Sequence, residues 1–308
     1  MEYFYMAIST LGMVGNFMLQ KVYQNRYCKN TKDLLLLPLL RGVFSVIIYV
    51  AILGFTFKFS GFTAIMALIF ALCNSYNTVI GLVIMKQCSM ATFSMFIMIG
   101  GMLLPFLAGI IFLGESLTVF NVIAMVLLLL GIFAIYAQKG KFKMTKLGTI
   151  LCISVFFVNG CTSITSKFHQ ININALSSMD FASWIAVWIV VIMGLLYIGY
   201  SLYSLKRKKQ EEKTQEDKPL VEKKPIDKKA LVLSMAIMFA LGAITCITNV
   251  CQFKGASTIP ASVIYPVNTG GTIVLLTLFG AVCYKEKLNK ASIIGVSLGL
   301  IATILFAL

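Results

Sequence analysis

The chain has 308 residues, 59% of them hydrophobic and only 12% charged, with a mean hydropathy of +0.92. Soluble domains are about a quarter charged, and a water-soluble fold with this composition would leave large apolar patches exposed, so an integral membrane protein is expected. The net charge of +15 does not point to nucleic acid, because the basic residues lie between apolar runs and not in an aromatic-interleaved stripe.

Ten apolar runs follow in order, each close to the roughly twenty residues a membrane helix needs. They are 3–20, 34–57, 62–85, 91–113, 118–137, 147–167, 180–204, 230–252, 258–283 and 290–308. The first lacks a basic leader and a small-residue cleavage site, so it reads as a retained span. One interruption stands out: 206–229, KRKKQEEKTQEDKPLVEKKPIDKK, which holds six of the eleven acids. With so little to bury, it is expected to be a mobile loop. Only Glu2, Asp33, Glu115, Asp180 and Glu286 are acidic elsewhere.

Alternating the spans sends 22 of the 26 basic residues to one end, leaving Lys58, Lys167 and Lys254 at the other and Arg41 inside a span. The positive-inside rule then puts 206–229 in the cytoplasm of a plasma-membrane protein, with both termini outside. The eight cysteines are scattered without zinc-ligand spacing, and His169 is the single histidine, read as exposed. No metal and no cofactor are expected.

The second half repeats the first. Residues 113–137, LGESLTVFNVIAMVLLLLGIFAIYA, match 284–307, YKEKLNKASIIGVSLGLIATILFA, with Glu115 aligned to Glu286. Gly100-Gly101 matches Gly270-Gly271, Lys86 matches Lys254, and Lys21 to Gln24 matches Lys167 to Gln170. Five spans per half is an odd number, so the halves, 1–140 and 141–308, are expected to lie inverted in the bilayer, an arrangement suited to alternating access. The segments LGESLTVFNVIAMVLLLLGIF and KEKLNKASIIGVSLGLIATIL resemble the repeated end-motif of EamA-type members of the drug/metabolite transporter superfamily. The resemblance implies ten helices in two repeats, a last helix of each half at the periphery, and cytoplasmic termini, the last at odds with the charge distribution.

Several runs carry polar residues on one helical face. These are Asn74, Asn77, Thr78 and Gly81; Asn159, Thr162, Ser163 and Ser166; Thr245, Thr248, Asn249 and Gln252; Tyr265, Asn268, Thr269 and Thr272; and a thinner stripe, Gly12, Asn16 and Gln20. The fifth and tenth runs are almost wholly Leu, Ile, Val and Ala. The contrast predicts a polar central cavity that binds substrate through Asn16, Gln20, Asn74, Asn77, Thr78, Thr162, Ser166, Thr245, Asn249, Gln252, Tyr265, Asn268 and Thr269. The same stripes also fit helix-to-helix hydrogen bonding. Arg41 is placed to snorkel or to meet an anionic substrate group. Glu115 and Glu286 fall in turns, where capping is the expected role, and Asp180 is placed to cap the seventh helix.

Missing features narrow the function. No carboxylate lies deep in a run, no P-loop is present, and neither protease chemistry nor a selectivity filter is recognisable. The sequence therefore reads as an all-α polytopic membrane protein of ten helices in two inverted repeats. The expected function is that of a secondary carrier, not an enzyme, which moves a small polar or amphipathic metabolite. Its expected partners are that small-molecule substrate and the lipid bilayer, with no nucleic acid, and the oligomeric state stays open, a monomer included. A transport-inactive receptor or accessory subunit with the same fold, or a channel, is the alternative.

Overall fold

The structure, a computed structural model, describes residues 2–28, 30–54, 56, 58–84, 90–137, 145–214, 228–283 and 290–306. Glu286, Lys86, Cys88, Leu308 and the segment 215–227 lie outside the described residues. The described chain forms ten helices: α1 (Glu2–Tyr27), α2 (Thr31–Leu53), α3 (Gly61–Ile84), α4 (Met90–Leu113), α5 (Val119–Ala137), α6 (Lys146–Ile171), α7 (Ser178–Thr214), α8 (Lys228–Thr258), α9 (Ala261–Cys283) and α10 (Lys290–Leu305).

Seven of these helices are long and apolar enough to cross a bilayer, fewer than the ten runs expected. The apolar stretches of α5 and α10 are shorter, and α1 dilutes its apolar run with Ser9, Thr10, Asn16 and Gln20. The chain is a polytopic α-helical membrane protein by this measure. Its outside is apolar, as lipid demands: Val119 is 74% exposed and Val282 77%.

Three boundaries differ from expectation. The segment 206–229 is not all loop, because α7 continues through 206–214. Lys, Arg, Gln and Glu, which fill most of 206–214, are good helix formers. Helix α8 runs six residues past Gln252 to Thr258 and ends just before Pro260, which cannot continue an α-helix hydrogen-bond ladder. Helix α6 runs to Ile171, so Lys167 lies inside it, not in a turn.

Neighbouring contacts show that the helices alternate in direction. Asn16 meets Thr245 and Gly12 meets Thr248, so α1 and α8 are antiparallel, whereas Asn268 meets Thr10 and Thr272 meets Met13, so α1 and α9 run together. The largest pairings are α4 with α6, α1 with α8, α5 with α10, α2 with α7 and α8, and α3 with α6 and α7; α4 also packs on α9, and α1 on α9. Helices α5 and α10 meet through Gly131 and Gly295, where an added Cβ on Gly295 would lie 2.6 Å from the Gly131 carbonyl oxygen. One core unites α4, α5, α9 and α10 around Met102, Leu128 and Ile132. A second joins α2, α3, α7 and α8 around Tyr49, Phe181 and Phe253.

Candidate functional site

The polar stripes face inward and divide into two groups. In the first, side chains are hydrogen-bonded, most of them across helices. Asn16 on α1 accepts from Thr245 of α8 at 3.0 Å and reaches Thr248 at 3.5 Å. Asn77 on α3 donates to Asn159 of α6 at 3.2 Å, and Asn159 donates onward to the Ile97 carbonyl of α4 at 2.8 Å. Ser166 and Tyr265 join α6 to α9 at 2.5 Å. Thr78 and Thr162 donate to the carbonyls one turn back, at Asn74 and Val158, and so spend their hydroxyls within their own helices.

Asn268 is 1% exposed and contacts two residues the sequence reading missed, Ser9 at 3.2 Å and Thr10 at 3.0 Å. Both hydroxyls also lie 2.9 Å from the Met6 carbonyl, and each has one proton to give. As placed, the Asn268 oxygen faces the hydroxyls and Nδ2 has no partner. Turned over, the amide nitrogen donates to both hydroxyls and the carbonyl oxygen becomes the unpartnered atom. Asn77 Oδ1 is likewise buried and unpartnered. The signal for Ser9 was present: with Gly12 and Asn16 it continues the α1 stripe at i, i+3, i+7.

The second group makes no side-chain hydrogen bond to any described residue: Gln20, Asn74, Asn249, Gln252 and Thr269, all partly exposed. Arg41 joins them. It is the eleventh residue of α2, about 15 Å along the helix axis from its start, and no ion pair or hydrogen bond ties it to a described residue. Hydrocarbon cannot solvate such groups, so they are the side chains best placed to meet water or a ligand. The paired glycines are packing devices: a Cβ on Gly100 would overlap the Phe156 backbone, and one on Gly270 would strike Leu128.

One end of the bundle is densely cross-linked. His169, read from sequence as exposed, is fully buried there. It bonds Thr63 at 3.0 Å, and its ring stacks 3.8 Å from Phe181. Trp184 and Trp188 donate to the carbonyls of Lys58 and Ala64. Ser177, not Asp180, caps α7: its Oγ accepts the Asp180 backbone N–H and donates to the Asp180 carboxylate, which braces the capping hydroxyl.

At this end lies a charged pair that no stripe pointed to. Gly114 adopts φ 62, a left-handed turn that glycine accepts without strain, and the Glu115 N–H returns to the Gly109 carbonyl. The Glu115 carboxylate then accepts the Ala261 and Ser262 N–H groups at 2.6 and 2.9 Å, capping the N-terminus of α9. Lys167 donates to the Ala256 and Ile259 carbonyls at 2.9 and 2.7 Å, closing the C-terminal end of α8. The two charges stand 3.9 Å apart, with side chains only 7% (Lys167) and 12% (Glu115) exposed.

No protein-family model matches the chain, and no curated protein matches it. Twenty-eight chains of solved structures do. One, a crystal structure described only as that of a "protein", superposes with a TM-score of 0.72 at 14% identity, covering 99% of this chain and 95% of its own. The likeness is one of fold alone.

Among the described residues no group of His, Cys, Asp or Glu could hold a metal ion.

Proposed function

We propose that the protein is a secondary carrier of the drug/metabolite transporter type, whose halves are inverted repeats that exchange conformations to move a small polar or amphipathic metabolite. The observation that carries this reading is the pattern of helix pairings. Exchanging α1–α5 with α6–α10 turns α1·α8 into α6·α3, α2·α8 into α7·α3 and α4·α6 into α9·α1, all of them present. The pairs α2·α7, α4·α9 and α5·α10 map onto themselves. The repeated Glu-x-Leu pattern of the sequence, at Glu115 and Glu286, and the inward polar stripes support the same reading, and the unpartnered side chains supply a binding surface.

The test has two steps. A screen of metabolites for thermal stabilisation of the purified protein finds a ligand, because binding to the folded state raises the melting temperature. Uptake of that ligand into proteoliposomes should then saturate and show counterflow. Linear flux without counterflow means a channel; binding without flux means a receptor.

The two polar groups predict different outcomes. Asn249→Leu and Asn74→Leu should weaken ligand binding several-fold to tenfold with little change in melting, since each loses a ligand hydrogen bond worth about 0.5–1.5 kcal/mol. Arg41→Gln should weaken only ligands bearing an anionic group. Asn77→Leu and Asn268→Leu should also lower the melting temperature, by about 0.6 kcal/mol of stability per interhelical bond. Leu130→Ala and Ile304→Ala, at 52% and 64% exposed sites, should leave affinity unchanged. Equal losses at these lipid-facing positions would sink the cavity assignment.

Orientation is testable separately. With 22 basic residues at one end, Asn174→Cys in the α6–α7 turn should react with impermeant thiol reagents in intact cells, and Arg207→Cys should not. The native Cys28 adds little background, because burial first and the Asp33 carboxylate second push its thiol up to about 11, leaving almost no thiolate at neutral pH. The reverse labelling pattern would invert the topology and leave the repeat intact.

A further inference from the structure

Resting on the carrier reading, we infer that Glu115 and Lys167 are a latch that holds the low-charge end of the bundle shut, each charge gripping one helix terminus of the α8–α9 turn. The turns at this end bring together α4–α5, α6 and α8–α9, and the pair ties all three. Each sign matches its site. The carboxylate meets the first N–H groups of α9 and the ammonium meets the last carbonyls of α8, the ends where the helix dipoles favour those charges. The backbone is shaped for it: a Cβ on Gly109 would overlap the Glu115 carboxylate and press on Ala261. The Ser166–Tyr265 bond, adjacent on α6 and one turn along α9, adds a second rung.

Glu286, the counterpart of Glu115, and the segment 85–89 lie outside the described residues, but the helix pairings around this closure and their counterparts differ in extent. Helix α6 packs on α8, whereas their counterparts α1 and α3 barely meet among the described residues. Likewise α4 and α6 share a much larger interface than α9 and α1. Among the described residues these helix pairings are therefore tighter in one set than in its counterpart, as a carrier resting on one side of its cycle requires. Burying two charges is expensive unless they are paired and hydrogen-bonded, and the four hydrogen bonds that help offset this cost all run to the helix ends that flank the α8–α9 turn. When that turn lifts, both charges pass to water.

The experiment follows a cysteine beneath the latch. Ser262 is 2% exposed. In the full-length purified protein with its native cysteines replaced, Ser262→Cys should react slowly with a maleimide, and adding Lys167→Met should speed the reaction at least tenfold. Where Lys167→Met does not fold, Glu115→Gln, which keeps an acceptor for one N–H, carries the same readout; variants count only if their melting temperature stays within a few degrees. The double exchange Glu115→Lys with Lys167→Glu restores an ion pair but sets each charge against the wrong helix terminus, so it should stay fast. Unchanged labelling in the single variants, or slow labelling restored by the exchange, overturns the latch. Counterflow separates the two readings: intact counterflow with unaltered labelling discards the latch and keeps the carrier. Faster labelling in a protein that never shows counterflow keeps the latch and discards the carrier.

Discussion

Gly100→Val is expected to leave little folded protein. A Cβ at Gly100 would overlap the Phe156 carbonyl oxygen and lie 2.7 Å from the Phe156 carbonyl carbon and Cα. Backbone cannot turn aside as a flexible side chain can, so α4 and α6, which share the most extensive pairing in the fold, must separate along their length. Overpacking of this kind costs about 1–3 kcal/mol and occasionally more, and the valine branches place this case at the upper end. Gly15→Ala is the control: its nearest neighbour is Ile244 at 3.8 Å, an ordinary contact. There the exchange should stabilise α1 by about 0.5–1 kcal/mol, the usual gain of alanine over glycine inside a helix. Melting temperatures in one detergent check both; a well-folded Gly100→Val protein would mean that α4 and α6 do not meet at this point.

Phe181→Ala is the second large effect. Phe181 is fully buried and stacks on His169 of α6, while meeting Phe253 of α8 at 5.0 Å and Phe70 of α3 at 6.1 Å. One side chain of α7 thus fastens three other helices. Truncating a buried phenylalanine costs about 3–5 kcal/mol, and here the cavity opens beside a buried imidazole that hydrogen-bonds Thr63. The melting temperature should fall steeply, whereas Phe157→Ala at a 53% exposed site should change it little. Equal shifts at the two positions would show that Phe181 is not a junction.

The number and order of helices were legible because apolar length is a local property: each run declares itself without reference to its neighbours. Boundaries failed where a second local preference overruled hydropathy, as in the Lys/Glu-rich continuation of α7 through 206–214 and the extension of α8 to the residue before Ile259-Pro260. The polar stripes were legible as faces, and Asn16 with Thr245 and Ser166 with Tyr265 do meet. Which atoms would bond and which would stay free was not, since Asn249 and Thr248 are chain neighbours with opposite fates. Glu115 and Lys167 were passed over for a related reason. Glu115 was seen correctly as a cap, but the helix it caps, α9, begins 146 residues later. Nothing in the spacing around either residue encodes that distance.

The glycine contact between α5 and α10 carries a mechanical consequence. It joins the fifth helix to the tenth, and in the proposed exchange of α1–α5 with α6–α10 it is its own counterpart. Under the proposed exchange of halves, every interface that has a distinct twin tightens on one side of the membrane as it loosens on the other, but this one has no twin to trade with. It can serve as a fulcrum, with backbone pressed against backbone at Gly131 and Gly295 so that little side-chain slack is left to absorb the motion. Stapling α5 to α10 should then leave turnover running, while a staple between α6 and α8 should stop it.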